Sequence, residues 1–241
     1  MRCAIMQPTY LPWLGYFELI DSCDIFVLLD NVKLEKSSWH VRNNIRSANG
    51  KTTLTVPVSL TNGRLHTLIN EAQINTNLQW KQKHLRSIEQ NYCKTKYFDA
   101  FFPMLEDQIN RAHQNLASLN AAVIRMIAAY LGISTSIILA SSIEDVYGAK
   151  DLRLLSICKK LRADLYYSPR GSSIYLDRES VGGVITNAGI HVVYQDFVPT
   201  RYPQQFKPFL SHMSVVDAIF NCGAAGTYNL IQQGRRTVMP I

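Results

Sequence analysis

The stretch IMQPTYLPWLGYF (Ile5–Phe17) decides the fold, because it begins in an apolar run and leads into a helix. The apolar run itself, Cys3–Met6, predicts a buried strand, and the helix is expected to begin near Gly15. A further apolar run, Ile25–Leu29, predicts a second strand, which ends at Asp30. This succession indicates an α/β fold with a Rossmann-like, mostly parallel sheet.

Two loops leave the carboxyl ends of these strands, Gln7–Trp13 and Asp30–Trp39. Ligands of open α/β sheets collect at such loops. The first loop is rich in proline and aromatic residues, which are costly to leave in solvent, so it is expected either to pack or to bind. Gln7, Tyr10 and Asp30 are therefore predicted substrate-binding residues.

The composition is that of an ordinary globular protein. The 241 residues, 47% hydrophobic and 18% charged, suit one α/β domain spanning 1–241. No apolar run has the length of a membrane span and the start lacks a signal-peptide pattern, so we expect a soluble, cytoplasmic protein. The five cysteines are scattered and form no Cys-x-x-Cys pair, so neither a metal site nor a disulfide framework is expected.

The net charge of the chain indicates which kinds of partner it can bind. The formal net charge of +7 favours an anionic partner. Nucleotide-sugar diphosphates, an acidic acyl or peptidyl carrier protein, and nucleic acid are the three candidates. The basic residues are spread along the chain without a nucleic-acid-binding motif, so we predict no nucleic-acid partner.

The spacing of apolar residues changes twice in the middle of the chain. Residues 51–75 alternate around a turn signal at 61–63 and predict a β-hairpin, while residues 78–131 predict a helical insertion. The α/β rhythm then resumes, and the last helix is expected to run over Val215–Asn221 and to end at a turn marked by Gly223. Further strands are expected at Ile137–Ala140, Asp164–Tyr167 and Gly189–Tyr194, and a further helix at Asp151–Leu161.

The polar segment 32–45 is rich in basic residues. Lys36 and Arg42 can reach phosphate groups, and Trp39 offers a ring for stacking. A solvated loop and an anion-binding loop both fit this composition. With Asn43, these residues form the first predicted part of the site.

A second loop, Ser168–Ser173, follows a predicted strand. Gly171 can present backbone N–H groups to an anion, and Arg170 adds positive charge. An ordinary turn is the alternative interpretation. Ser172 and Tyr175 complete this second set of predicted binding residues.

Two ionisable residues on predicted helices are candidate catalytic groups. His84 could act as a general base, because an unperturbed imidazole has a pKa of about 6.5. A structural hydrogen bond is the alternative for this side chain. Asp217 lies on a mostly apolar helix and therefore needs a partner. In the structural interpretation the partner is a buried arginine or a backbone N–H. In the functional interpretation Asp217 orients His84 or Lys36.

Blocks of residues spread along the chain form a recognisable pattern. They are Met6-Gln7-Pro8, Gly15-Tyr16-Phe17, Asp30-Asn31-Val32 with Lys36, Trp39, Arg42-Asn43, Lys83-His84, Tyr92, Ser168–Asp177, Tyr202–Phe206, Ser214–Asp217, Phe220-Asn221 and Gly223. In this order they resemble the WbqC-like family, which implies a context of bacterial surface-polysaccharide (O-antigen) gene clusters. Before the Arg-Asn pair the family pattern is usually polar, whereas this chain has Val41, with His40 one place earlier, so the resemblance assigns no role to that position. The choice between His84 and His40 as the catalytic histidine is left open.

The residues Trp13-Leu14-Gly15-Tyr16 carry a second resemblance. They stand where HIGH-type nucleotidyltransferases have His-x-Gly-His, after a first strand and a proline-containing loop. Both phosphate-holding histidines are absent here. The resemblance therefore implies the architecture of a nucleotide site without that chemistry.

The context that the resemblance implies leads to our first hypothesis, a transferase that acts on a nucleotide-activated sugar, with acyl or aminoacyl transfer to a sugar amine as its more specific form. His84 would take the amine proton, and Asn43 and Lys36 would stabilise the developing oxyanion. Coenzyme A or a carrier-protein thioester would supply the acyl group. A degenerate nucleotidyl- or adenylate-forming enzyme and a non-catalytic assembly protein are the alternatives, and homo-oligomerisation is left open.

Overall fold

A computed structural model of the protein describes residues 1–35, 38–60, 63, 66–177 and 180–236. The strands are β1 (Arg2–Met6), β2 (Ile25–Leu28), β3 (Arg42–Ser47), β4 (Gly50–Thr55), β5 (Val58–Ser59), β6 (Gln73–Ile74), β7 (Ser136–Leu139), β8 (Leu165–Ser168) and β9 (His191–Tyr194). The helices are α1 (Leu14–Asp21), α2 (Trp80–Tyr92), α3 (Phe98–Asn110), α4 (Leu116–Tyr130), α5 (Asp151–Lys160), α6 (Ser173–Leu176), α7 (Gly183–Asn187) and α8 (Val215–Gly234).

A five-stranded parallel sheet in the order β7-β2-β1-β8-β9 forms the centre of the molecule. Because the chain proceeds outward from β1 to β2 and β7, and then returns to β8 on the other side, the strand order reverses between β1 and β8. This is the doubly wound topology of Rossmann-like folds. The predicted α/β fold class is confirmed.

The central strands are buried on both faces, and their residues alternate between two cores. Ala4 and Phe26 belong to the first core, which includes side chains of α1, α2, α3, α4 and α8. Ile5 and Val27 belong to the second core, beneath α5, α6 and α7. Burial on both faces explains why these strands are continuous apolar runs rather than alternating ones.

The polar segment before β4 differs from its prediction. β4 pairs with β3, with Arg42 opposite Thr55, and only the short β5 pairs with β6. Segment 32–45 is thus not a loop throughout, since β3 begins at Arg42. The sequence hid this strand because Asn43 and Arg46, both polar, are buried in it. Residues 61 and 62 of the predicted turn lie outside the described part of the chain.

The last helix is longer than its sequence predicted. α8 continues to Gly234 across Gly223, which has a φ of 72°. A Cβ at position 223 would lie 2.7 Å from the ring of Tyr97, so only glycine fits this kink. The helix resumes because Thr227 and Ile231 in its second part are buried. Within the described residues, none of the helices combines the length and apolar character that crossing a membrane requires.

Candidate functional site

A cavity of about 850 Å³ opens at the carboxyl edge of the sheet, on the side of the second core. We call it the main cavity. It lies where β1 and β2 end and where α5, α6 and α7 begin or pass, which is the edge at which doubly wound sheets bind ligands. The polar and charged residues that line it are Gln7, Asn31, Lys33, Lys150, Asp151, Arg153, Tyr175 and Asn187.

The lining of the main cavity is positively charged. Three cationic side chains, those of Lys33, Lys150 and Arg153, face one carboxylate, that of Asp151. The first residues of α5 form part of the wall, so the positive end of the helix dipole adds to their field. The Oδ1 atom of Asp151 accepts a hydrogen bond from the N–H of Leu152 at 2.9 Å. The cavity is therefore suited to an anionic group such as a phosphate.

Hydrogen bonds between side chains and backbone groups fix the walls of the main cavity. Arg153 donates from Nη1 to the carbonyl of Asn31 at 2.7 Å and from Nε to the carbonyl of Gly148 at 3.1 Å. Asp30, almost fully buried, accepts from the N–H and the Oγ of Ser141 at 2.9 and 2.6 Å. These contacts join the ends of β2 and β7 to the start of α5. Asp30 thus holds the edge of the cavity in place through Ser141 without lining the cavity itself.

The predicted binding residues are divided between several places. Gln7 and Tyr175 line the main cavity. Arg170 and Gly171 lie on the other side of the sheet edge, where they line a smaller cavity of about 270 Å³. Residues 170–172 form a 3-10 turn rather than an open loop, with Ser172 buried. Lys36 lies outside the described residues.

Trp39 and Arg42 line neither of these cavities. The Trp39 side chain is half exposed, and its backbone carbonyl accepts a hydrogen bond from the N–H of Tyr10 at 2.9 Å. Arg42 begins β3 opposite Thr55. Trp39 therefore borders the first loop, and Arg42 belongs to the β3–β4 pair.

The first loop, Gln7–Trp13, is packed into the protein. Tyr10 is fully buried, and its hydroxyl lies 3.0 Å from Nδ1 of His84. Nε2 of His84 lies 3.1 Å from the carbonyl oxygen of Thr55. Asn43 clamps the loop from β3, because its Nδ2 donates to the carbonyls of Tyr10 and Leu11 at 3.1 and 2.7 Å.

These contacts fix the state of His84. Only a ring N–H can bind the Thr55 carbonyl, so Nε2 carries the proton and Nδ1 accepts from the hydroxyl of Tyr10. Burial lowers the pKa of His84 to about 4, although the hydrogen bond to Thr55 opposes that shift. The imidazole is thus neutral at pH 7 with both nitrogens occupied. This arrangement favours the structural role over the catalytic one.

Asp217 lies in a separate buried cluster. It accepts hydrogen bonds from the hydroxyls of Tyr92 and Tyr202 at 2.7 and 2.6 Å, and from Nε2 of Gln204 at 2.7 Å. Burial raises the pKa of its carboxyl group, and these three donors oppose the shift. Its partners are thus hydroxyl and amide groups rather than His84. The catalytic roles of His84, Asp217 and Lys36 remain predictions.

The region with the HIGH-like spacing is filled by aromatic side chains. The Trp13 ring lies over Gly15, leaving no room for a Cβ there, and stacks on His212 with centroids 4.9 Å apart. Tyr16 is buried and donates its hydroxyl to the carbonyl of Gln7 at 3.0 Å. The positions of the two missing histidines therefore have packing functions.

Sequence reasoning missed the residues at the start of α5. Lys150 and Arg153 belong to the site because the β7–α5 connection also leaves the carboxyl edge of the sheet. The rule that selected Gln7 and Asp30 would have selected them too, had it been applied to this later connection.

Comparison with known proteins places the chain in a family. Residues 7–228 match the model of the WbqC-like protein family. The uncharacterized protein Rv1507c of Mycobacterium tuberculosis (strain ATCC 25618 / H37Rv) is 35% identical over 230 residues, which cover 92% of this chain and 94% of that protein. No solved structure matches the chain. The chain therefore belongs to the WbqC-like protein family.

Proposed function

We propose that this protein is a transferase of bacterial surface-polysaccharide assembly and that it binds the diphosphate of a nucleotide-activated sugar in the main cavity. The observation that carries the proposal is the convergence of Lys33, Lys150 and Arg153 at the start of α5. Cationic side chains and a helix N-terminus at the carboxyl edge of a parallel sheet suit phosphate groups. A volume of about 850 Å³ is also in the range of pockets for such ligands.

The proposed reaction is acyl or aminoacyl transfer to an amine of the sugar. The amine nitrogen attacks the carbonyl carbon of a thioester, the carbon–sulfur bond breaks, and the sulfur leaves with the bonding electrons. A base takes the proton from nitrogen and passes it to the thiolate. The thioester belongs to coenzyme A or to a carrier protein, and the positive net charge of the chain suits an acidic carrier.

We assign the base to Asp151 rather than to His84. Among the described residues, Asp151 supplies the carboxylate that lines the main cavity, and its Oδ1 already accepts from the N–H of Leu152. Its Oδ2 is left to accept a proton from the substrate. His84 has both nitrogens occupied, and the Nδ2 of Asn43 already donates to two carbonyls, so neither has a group to offer to a reacting atom.

The proposal is tested by ligand binding to a charge variant. Wild type should be stabilised by UDP- or dTDP-linked amino sugars, by about 2.7 kcal/mol at one hundred times the Kd. Lys150→Met should raise that Kd about tenfold, because it removes a cationic donor to phosphate. Lys94→Met, which removes the same charge at an exposed position outside the main cavity, is the matched control.

Three outcomes would contradict the proposal. Stabilisation by ATP alone, among nucleotide sugars, ATP and coenzyme A thioesters, would favour a nucleotidyltransferase. Equal loss of binding in Lys150→Met and Lys94→Met would show a general charge effect rather than a site. Absence of binding to every ligand would favour a non-catalytic assembly protein.

The assignment of Asp151 has its own test. Asp151→Asn keeps the size of the side chain and its hydrogen bond to the N–H of Leu152. It should abolish transfer while nucleotide-sugar binding persists, because only the proton-accepting group is lost. Transfer at the wild-type rate would remove Asp151 from the mechanism without touching the binding proposal.

A further inference from the structure

The smaller cavity lies on the opposite side of the same sheet edge. It is bounded by the end of β1, the start of α1, the 3-10 turn after β8 and the segment after β9. Its volume is about 270 Å³. We call it the second cavity. The residues that matter for its chemistry are Met6, Trp13, Tyr16, Gly171, Gln195 and Phe197.

One polar side chain in the second cavity has an unused acceptor. Gln195 is more than nine-tenths buried, and its Nε2 donates to the carbonyl of Gly15 at 2.7 Å and to a carboxylate oxygen of Glu18. Both partners can only accept, so the orientation of the amide is fixed. Its Oε1 has no donor among the described residues. This oxygen is not enclosed by protein atoms and is reached from the second cavity, so a donor on a ligand that enters the cavity can bind it in place of water.

The rest of the second cavity is suited to a neutral group. Arg170 and Asp196 form an ion pair across 3.3 Å, so their charges offset each other at the wall. The remaining lining is largely aromatic and aliphatic. The rings of Trp13 and Phe197 pack edge to face, with their centroids 5.4 Å apart. An ionic group would lose hydration here without gaining a partner. A flat ring that carries an N–H group fits both the apolar lining and the free acceptor.

We propose that the second cavity binds the heterocyclic base of the nucleotide, with Oε1 of Gln195 accepting a hydrogen bond from a base N–H. This inference rests on the proposed function, since it divides one nucleotide-activated sugar between two cavities. Met6 faces the second cavity and the next residue, Gln7, faces the main cavity. Gly171 and Tyr175 similarly line different cavities from the same turn of chain after β8. A ligand that crosses the end of β1 would reach both.

A substitution at Gly171 tests the inference without disturbing the fold. A Cβ at this position meets no atom within 4 Å, and its φ is not in the left-handed region. Gly171→Leu therefore adds a bulky side chain at the wall of the second cavity, and Gly171→Ala is the matched control with one carbon. Thermal melting of both variants checks that the fold survives.

The readout is the Kd for UDP, CDP, ADP, GDP and inorganic pyrophosphate. The nucleotide that wild type prefers should bind about tenfold more weakly to Gly171→Leu, while pyrophosphate should bind equally to wild type, Gly171→Ala and Gly171→Leu. A second comparison uses wild type and a form of the same nucleotide in which the ring or exocyclic N–H of the base is methylated. The methylated nucleotide should bind about tenfold more weakly than the unmodified one, because Oε1 of Gln195 loses its donor.

The two proposals fail in different ways. If every base binds no better than pyrophosphate, or if Gly171→Leu binds the preferred nucleotide as wild type does, the base is not in the second cavity. Weaker pyrophosphate binding by Lys150→Met would then still support the diphosphate site. If base methylation and Gly171→Leu matter but Lys150→Met does not, the second cavity is a base site and the diphosphate lies elsewhere.

Discussion

The polar side chains around α2 and those around the start of α5 are in opposite situations. Around α2, His84, Tyr92 and Asp217 are buried, and each has protein partners for its polar atoms. At the start of α5, Lys33 and Lys150 are exposed at the main cavity, and no carboxylate pairs with them in the described part of the chain. The first group serves stability and the second is available to a ligand, because a satisfied buried group has nothing left to offer.

The difference teaches how to weigh residues that look catalytic. A histidine near aromatic residues and an aspartate on an apolar helix look functional in a sequence because each needs a partner. In this protein each finds its partners within the fold. We expect a ligand to bind instead to groups that have no partner among the described residues, such as the amine of Lys150 and the Oε1 of Gln195.

Replacement of Asp217 should give the largest loss of stability. Asp217→Ala leaves the donors of Tyr92, Tyr202 and Gln204 without an acceptor, which should lower the free energy of unfolding by about 3–5 kcal/mol. Urea denaturation measures this change. Glu89→Ala, an exposed change on α2, should stay within about 0.5 kcal/mol. A similar small effect for Asp217→Ala would show that its cluster does not stabilise the fold.

The two buried histidines should make stability depend on pH. Burial lowers the pKa of His40 and of His84 to about 4, from 6.5 in the unfolded chain. The unfolded chain therefore binds more protons between pH 4 and pH 6.5, and the free energy of unfolding falls as the pH is lowered through that window. Each histidine should remove about 2 kcal/mol between pH 7 and pH 5, as measured by denaturation at both values.

A variant isolates the contribution of His84 to that slope. His84→Gln should remove about 2 kcal/mol of the pH dependence, because glutamine does not titrate. His191→Gln, which makes the same change at an exposed histidine, is the matched control. If both variants keep the wild-type slope, His84 is not held in its neutral form by burial.

A pair of hydroxyl deletions contrasts the two regions directly. Tyr10→Phe removes the hydrogen bond to Nδ1 of buried His84 and should cost about 1 kcal/mol of stability with no change in nucleotide-sugar binding. Tyr175→Phe, at the main cavity, should leave stability unchanged. Chemical denaturation and titration of both variants are the measurements. Weaker ligand binding by Tyr10→Phe would return the first loop to the binding site.

Trp39→Ala should have the smallest effect. Its side chain is half exposed, and its backbone bond to Tyr10 remains, so the change in unfolding free energy should be about 0.5 kcal/mol. Because Trp39 lines neither cavity, the Kd for nucleotide sugars should not move. A tenfold weaker Kd would support the stacking role that its sequence position predicts.

The sheet could be predicted from the sequence because its strands are buried on both faces. β1, β2 and β8 are short apolar runs between loops. None of their predicted ends differs from the end in the structure by more than one residue. β3 could not be found in this way. Its Arg46 is buried through hydrogen bonds to backbone carbonyls, including that of Pro208, a partner far away along the chain.

The site could be predicted only in part for a similar reason. Gln7 and Tyr175 follow strands that the sequence reveals, and both line the main cavity. Lys150 belongs to no motif, and only its place in the connection between the predicted strand at Ile137–Ala140 and the helix that follows it indicates that it lies at this edge of the sheet. The fixed amide of Gln195 depends on Gly15 and Glu18, which are distant in sequence.

The strand order also has a consequence for how the chain folds. β1 can pair with β2 early, since Cys3 lies opposite Ile25, but its other edge must wait for β8, where Leu165 lies opposite Arg2. The central strand thus keeps an open hydrogen-bonding edge until most of the chain has left the ribosome. Such late, non-local pairing slows folding and exposes the nascent chain to aggregation. We therefore expect β8 and β9 to gain protection from amide exchange after β1 and β2 during refolding.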